Sequence, residues 1–71
     1  MKRVDVDSSA IKRVGYAEES QTLEVTFNQG EMYEYLGVPP HHFEAMTSGN
    51  TSVGRYFAEQ IRDGYRYRRL R

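Results

Sequence analysis

No cysteine occurs among the 71 residues, which excludes disulfides, thiol catalysis and thiolate metal sites. No apolar run approaches the roughly 20 residues that span a bilayer, and the opening Met1-Lys2-Arg3-Val4-Asp5 leads into no hydrophobic signal segment. From these absences a cytoplasmic protein with no membrane partner is expected. Aliphatic residues are scarce: Leu, Ile, Val and Phe form about a fifth of the chain, close to where disorder sets in. Disorder also calls for a large net charge, and here ten basic side chains balance ten acidic ones. Six tyrosines supply large, half-polar rings where a bigger protein would use leucine. One small domain over residues 1–71 is expected, its core about 7–65 and its last segment, 66–71, an arginine-rich tail.

The zero net charge hides an asymmetry. Residues 1–54 carry four basic and eight acidic groups, whereas residues 55–71 carry six arginines against Glu59 and Asp63. Every base in that end is arginine, whose planar fork suits phosphates, carboxylates and aromatic faces. Such an end either offsets an acidic body or contacts an anion or a partner.

Residues 1–8 alternate Val4 and Val6 with Asp5 and Asp7 and read as an edge strand or an ordered lead-in. Ile11–Tyr16 reads as a strand with Val14 and Tyr16 on one face. Thr22-Leu23-Glu24-Val25-Thr26-Phe27 alternates strictly, placing Leu23, Val25 and Phe27 on the buried side. Asn28-Gln29-Gly30 fits a three-residue hairpin loop with Gly30 left-handed, which pairs Val25 with Tyr33 and Leu23 with Tyr35. That register sends both tyrosines into the core and sets Glu34 opposite Glu24, a like-charge cost tolerable on a solvated face. Pro39-Pro40 ends the last strand and opens a helix over His41–Thr47. A second helix runs from Val53 to Arg62, capped by Ser52 or Thr51, with Val53, Phe57 and Ile61 on one row and Gly64 as its stop. The expected architecture is α+β: a three-stranded antiparallel meander packed against two short C-terminal helices.

The order Ser8-Ser9-x-Ile11, Gly15-Tyr16, Leu23-x-Val25-x-Phe27, Gly30, Tyr33-x-Tyr35, Gly37-Val38-Pro39, Ser52-x-Gly54-x-x-Phe57 and Ile61-Arg62 resembles the KTSC domain family over roughly residues 7–65. That family takes its name from a segment at the C-terminus of some bacterial lysyl-tRNA synthetases, and it also occurs as small stand-alone bacterial and phage proteins. Ser9, Tyr33, Tyr35, Gly37, Pro39, Ser52, Gly54 and Phe57 match its motif and read as structural. The loop Thr47–Thr51 is slightly long for the pattern, and the arginine-rich end lies beyond it. The resemblance implies the α+β fold and, through attachment to a tRNA-charging enzyme, RNA as a partner.

Tyr33-x-Tyr35 fits a stacking platform for splayed bases, or core packing against Val25 and Leu23. The end Tyr65-Arg66-Tyr67-Arg68-Arg69-Leu70-Arg71 interleaves rings with guanidinium groups, as phosphate contacts plus stacking require; its alternation equally permits a terminal strand. The candidate nucleic-acid contacts are therefore Arg55, Arg62, Tyr65, Arg66, Tyr67, Arg68, Arg69 and Arg71. If Arg62, Arg66, Arg68 and Arg69 gather beside exposed rings, RNA gains; if they pair with Glu18, Glu19, Glu24 or Glu34, they only neutralise an acidic face. A protein-interaction module or inhibitor, self-associating through a strand edge, is the rival reading.

His41 and His42 diverge by about 100° on a helix and cannot chelate one metal, so they read as surface residues and no metal is expected. Ser8 and Ser9 lack a nucleophile elbow or phosphate loop around them and read as turn or cap residues. Gly54, costly inside a helix, points to a close helix–sheet approach. Neither catalysis nor a cofactor is expected.

Overall fold

In the computed structural model, which describes residues 1–71, the ladder Leu23–Tyr35 and Val25–Tyr33 forms in the expected register. The Phe27 amide donates to the Glu31 carbonyl at 2.9 Å and Gly30 closes the turn with φ of 104°. This hairpin, β3 (Thr22–Phe27) and β4 (Met32–Leu36), is the middle of a larger sheet than expected. β1 (Lys2–Asp5) pairs with β2 (Ile11–Ala17), and β5 (Arg66–Arg69) returns from the helices to pair with β4. The sheet is therefore five-stranded and antiparallel, in chain order from β1 to β5, not a three-stranded meander. Both added strands are short, charged and at the edges. Such strands gain stability from pairing with a neighbour, and their sequences carry little apolar periodicity to announce them.

Helices α1 (Pro40–Thr47) and α2 (Val53–Gln60) lie between β4 and β5 in sequence and cover one face of the sheet. Pro40 opens α1, and the Ser52 hydroxyl caps α2 by accepting from the Arg55 amide. Ile11, Val14, Leu23 and Val25 from the sheet are fully buried against Phe43 and Met46 of α1, Phe57 of α2 and Ile61 just after it. Tyr16 stacks on Phe43 with ring centroids 5.5 Å apart, while its hydroxyl donates to the Val38 carbonyl. Burial pushes that hydroxyl above its ordinary titration range, so it stays a donor at neutral pH. The Ser8 hydroxyl accepts from the amides of Ala10 and Ile11, the turn role expected of it. Gly54 does not mark a helix–sheet contact: a Cβ there would sit 3.5 Å from Ser8 Oγ, an ordinary contact distance. No helix is long and apolar enough to cross a membrane.

The face without helices carries one cross-strand row: Arg3, Gly15, Glu24, Glu34 and Arg68. Glu24 and Glu34 stand directly opposed, as the register requires, but the face around them is not wet: Glu24 is only 5% exposed. Each carboxylate has its own arginine instead. Arg68 Nε donates to Glu34 at 2.8 Å, and Arg3 Nε reaches Glu24 at 2.9 Å across the intervening strand. Gly15 makes that reach possible, since a Cβ at that position would lie 3.1 Å from Arg3 Cγ and 2.9 Å from Met1 Sδ. Hydrogen bonding and charge from Glu24 push the Arg3 guanidinium pKa up. Replacing Arg3 by leucine is expected to lower the melting temperature by several degrees, and adding Glu24→Gln to recover most of the loss. Thermal melts of the two single variants and the double variant check this; a fully additive cycle would show that the pair is not coupled.

Candidate functional site

The helices do not cover the whole sheet. At the β4–β5 end a string of rings runs from the core out to the surface. Phe57 meets Phe27 and Tyr35 edge-on at 5.6 and 5.4 Å, and Tyr35 lies 5.6 Å from Tyr67. Tyr33 packs 5.7 Å from Tyr67 and 6.4 Å from Tyr35. Tyr35 is buried and Tyr33 half-buried, so the expected core role holds fully for the first and partly for the second. Tyr67 is 59% exposed, the most open large apolar side chain in the protein. A groove of about 460 Å³ opens among these rings, with Glu31, Arg62 and Asp63 as its polar lining.

Local sequence explains the arrangement. Strand alternation puts Tyr33 and Tyr35 on the helix side of β4, and the β5 register sets Tyr67 opposite Tyr35 and Arg69 opposite Tyr33. The Arg69 guanidinium consequently lies 5.9 Å above the Tyr33 ring, within cation–π range. Its Nε donates to the Arg71 carbonyl at 3.0 Å, which orders the end of the chain.

The same alternation divides the other arginines. Arg68 points to the opposite face and is held by Glu34, and Arg66 shares that face at the sheet margin. Arg55 bonds Glu59 one turn on along α2 at 3.3 Å. Arg62 lines the groove with Asp63 3.8 Å away. Tyr65 turns inward, away from the other rings of its segment, to hydrogen-bond a histidine. Of the eight expected contacts the fold thus brings together Arg62, Tyr67 and Arg69, beside Tyr33 and Tyr35. Arg71 pairs with Met32 and lies on the opposite face beside Arg3 and Glu24, and Arg55, Tyr65, Arg66 and Arg68 also stand apart. Glu31 is a member of this site that composition and spacing did not single out; its place directly after the Gly30 turn, beside the start of β4, is the only sequence signal for it.

The histidine pair also differs from the surface reading. His41 is exposed, but His42 is buried. Its Nδ1 lies 2.7 Å from the Tyr56 hydroxyl and its Nε2 3.1 Å from that of Tyr65. The ring therefore ties α1 to α2 and to the segment entering β5. Burial, with a smaller contribution from His41, lowers its pKa below 6.5. A neutral ring serves the contacts well, with one nitrogen donating and the other accepting.

A second groove, about 640 Å³, lies at the β1–β2 end beside Met1, Tyr16 and Phe43. Glu18, Glu19 and Glu44 face it against a single Lys2, a lining that repels polyanions. The aromatic groove at the β4–β5 end is the better candidate for a nucleic-acid contact.

Comparisons with known proteins bear on residues 7–65, which match the family model described as KTSC domain. A protein of Stutzerimonas stutzeri, described only as uncharacterized, is 41% identical over 71 residues and covers 99% of both chains. A lysine–tRNA ligase of Nostoc punctiforme is 33% identical over 64 residues, which make up 90% of this chain and 11% of that enzyme. The crystal structure of a KTSC domain protein from Yersinia pestis superposes with a TM-score of 0.87 at 35% identity, over 99% of this chain and 97% of that one.

Proposed function

This chain belongs to the KTSC domain family, and from that premise we propose that it is a non-catalytic accessory domain that binds single-stranded RNA through the tyrosine–arginine margin of its sheet. The observation that carries the reading is Tyr67: a mostly exposed ring braced by Tyr33 and Tyr35, with the Arg69 guanidinium over Tyr33. Rings fixed on strands offer a flat surface to an unstacked base, and adjacent arginines offer forks to its phosphates. Duplex RNA hides its base faces and would gain little from such a shelf. The lysine–tRNA ligases that carry a similar segment support the reading from context. Only Arg62 and Arg69 accompany the shelf. Arg66 and Arg68 sit on the other face, so the footprint spans a few phosphates.

The test is a titration of the full chain against single-stranded and structured RNA at two salt concentrations. Micromolar affinity for the single strand, weakening as salt rises, is the expected result. Tyr67→Ala removes the most exposed ring of the shelf, leaving Tyr35 and Phe57 in place, and is expected to weaken binding about tenfold. Ending the chain at Gly64 would remove β5 from the sheet, so point substitution is the cleaner comparison. Absence of binding at low salt would refute the reading. The rival, a protein-interaction module that self-associates, draws on the unpaired outer edge of β5 and the exposed Leu36 and Leu70. It predicts a mass that grows with concentration and is indifferent to salt.

A further inference from the structure

We propose that the aromatic groove selects guanine, and that Glu31 reads it. The inference rests on the RNA reading above and adds a base preference to it. Its starting observation is a polar atom without a partner: Glu31 Oε1 is buried and makes no hydrogen bond. Buried acceptors are nearly always satisfied, and one left unpaired on a residue that lines a groove calls for a donor that the chain does not supply. Glu31 lines the same groove as Tyr33, Tyr35 and Tyr67, so a base resting on the ring shelf lies next to this carboxylate. At about 460 Å³ the groove has room for one base.

The chemistry then chooses the base. An ionised carboxylate is acceptor-only, with two oxygens side by side. On its pairing edge guanine presents two adjacent donors, N1–H and the N2 amino group, which match those oxygens. Adenine and cytosine each place a donor beside an acceptor on that edge, and uracil flanks one donor with two acceptors; each would aim a lone pair at the carboxylate. Asp63 lies 3.8 Å from Arg62 and offsets its charge, which leaves Glu31 for the base edge and Arg69, over Tyr33, as the guanidinium group for a neighbouring phosphate.

The experiment uses the full chain and labelled oligouridines of about eight nucleotides, carrying one central guanosine, inosine, adenosine or uridine, with affinity read by fluorescence anisotropy. Guanosine is expected to bind about tenfold tighter than adenosine. Inosine, which keeps N1–H but lacks the amino group, is expected to fall between them. In Glu31→Gln the guanosine-to-adenosine ratio should drop to about one, because the amide presents a donor where guanine needs an acceptor. Inosine asks the same question of the unaltered protein, so the proposal does not depend on the variant folding. Equal affinity for guanosine and adenosine would overturn the guanine preference and leave RNA binding by the shelf intact. A guanosine preference that survives in Glu31→Gln would overturn the role of Glu31. No binding to any of the four would overturn both readings.

Discussion

Truncating Phe57 to alanine should destabilise the protein by about 3–5 kcal/mol, a large share of what so small a domain has. At roughly 0.05–0.15 kcal/mol per residue, a 71-residue chain holds on the order of 4–11 kcal/mol in all. Phe57 is almost fully buried, and its ring is the point where α2 meets the sheet, edge-on to both Phe27 and Tyr35. Alanine removes the buried ring and leaves a cavity between helix and sheet that two short helices cannot close by shifting. Chemical denaturation followed by far-ultraviolet circular dichroism measures the effect. Phe57→Leu, which keeps most of the volume, should lose only about 1–2 kcal/mol. If the alanine variant lost less than about 1 kcal/mol with an unchanged denaturant slope, the ring would not be the hinge of the core described here. Because Phe57 also backs the groove, its truncation should disturb the tyrosine shelf as well as the fold, which makes it a poor probe of binding.

Replacing His42 by alanine should cost about 2–4 kcal/mol and remove a pH dependence. The loss combines the packing of a buried ring with two tyrosine hydroxyls, on Tyr56 and Tyr65, that lose their shared partner. In the wild-type protein the ring's pKa lies below 6.5 because burial penalises its charged form, with His41 adding repulsion. Between the folded and unfolded values the unfolded chain binds more protons. Stability therefore begins to fall as pH drops through about 6.5 and stops falling, for this group, below the folded pKa. His42→Ala should be flat across that window. Asp5, held below 3.8 mainly by its hydrogen bond to Arg13, adds a loss of stability only below that value, so the two effects separate on the pH axis. Melting curves from neutral to mildly acid pH provide the check; an identical slope in the variant would assign the dependence elsewhere.

Much of the fold was legible because its middle is local. The alternation over Thr22–Phe27 and the loop Asn28-Gln29-Gly30 specify a hairpin and its register through nearest-neighbour geometry, and the observed pairs are the expected ones. Pro40 and Ser52 mark the helix starts for equally local reasons, a preset φ and a side-chain oxygen. The two outer strands were not legible in the same way. Lys2–Asp5 and Arg66–Arg69 are charged and short, and their weak alternation permits a strand without choosing it over a lead-in or a tail. Each becomes a strand because a paired neighbour offers its free edge. The candidate site shares this divide. Its residue types were visible as a run of tyrosine and arginine, but which face each would take depended on the β5 register.

By itself, then, the sequence determined the hairpin, the helix starts, the apolar stripe that joins them and the family resemblance, all of which rest on interactions over a few residues; α2 ends at Gln60, two residues short of the expected Arg62. Tertiary structure alone decided that Arg68 answers Glu34 while Arg69 covers Tyr33, that Arg3 reaches Glu24 over Gly15, and that His42 is buried between two tyrosines. It also left one oxygen of the half-buried Glu31 covered and unpartnered in the groove that Tyr67 lines. These contacts join residues up to 36 positions apart, and a shift of one residue in strand pairing would send each strand side chain to the other face.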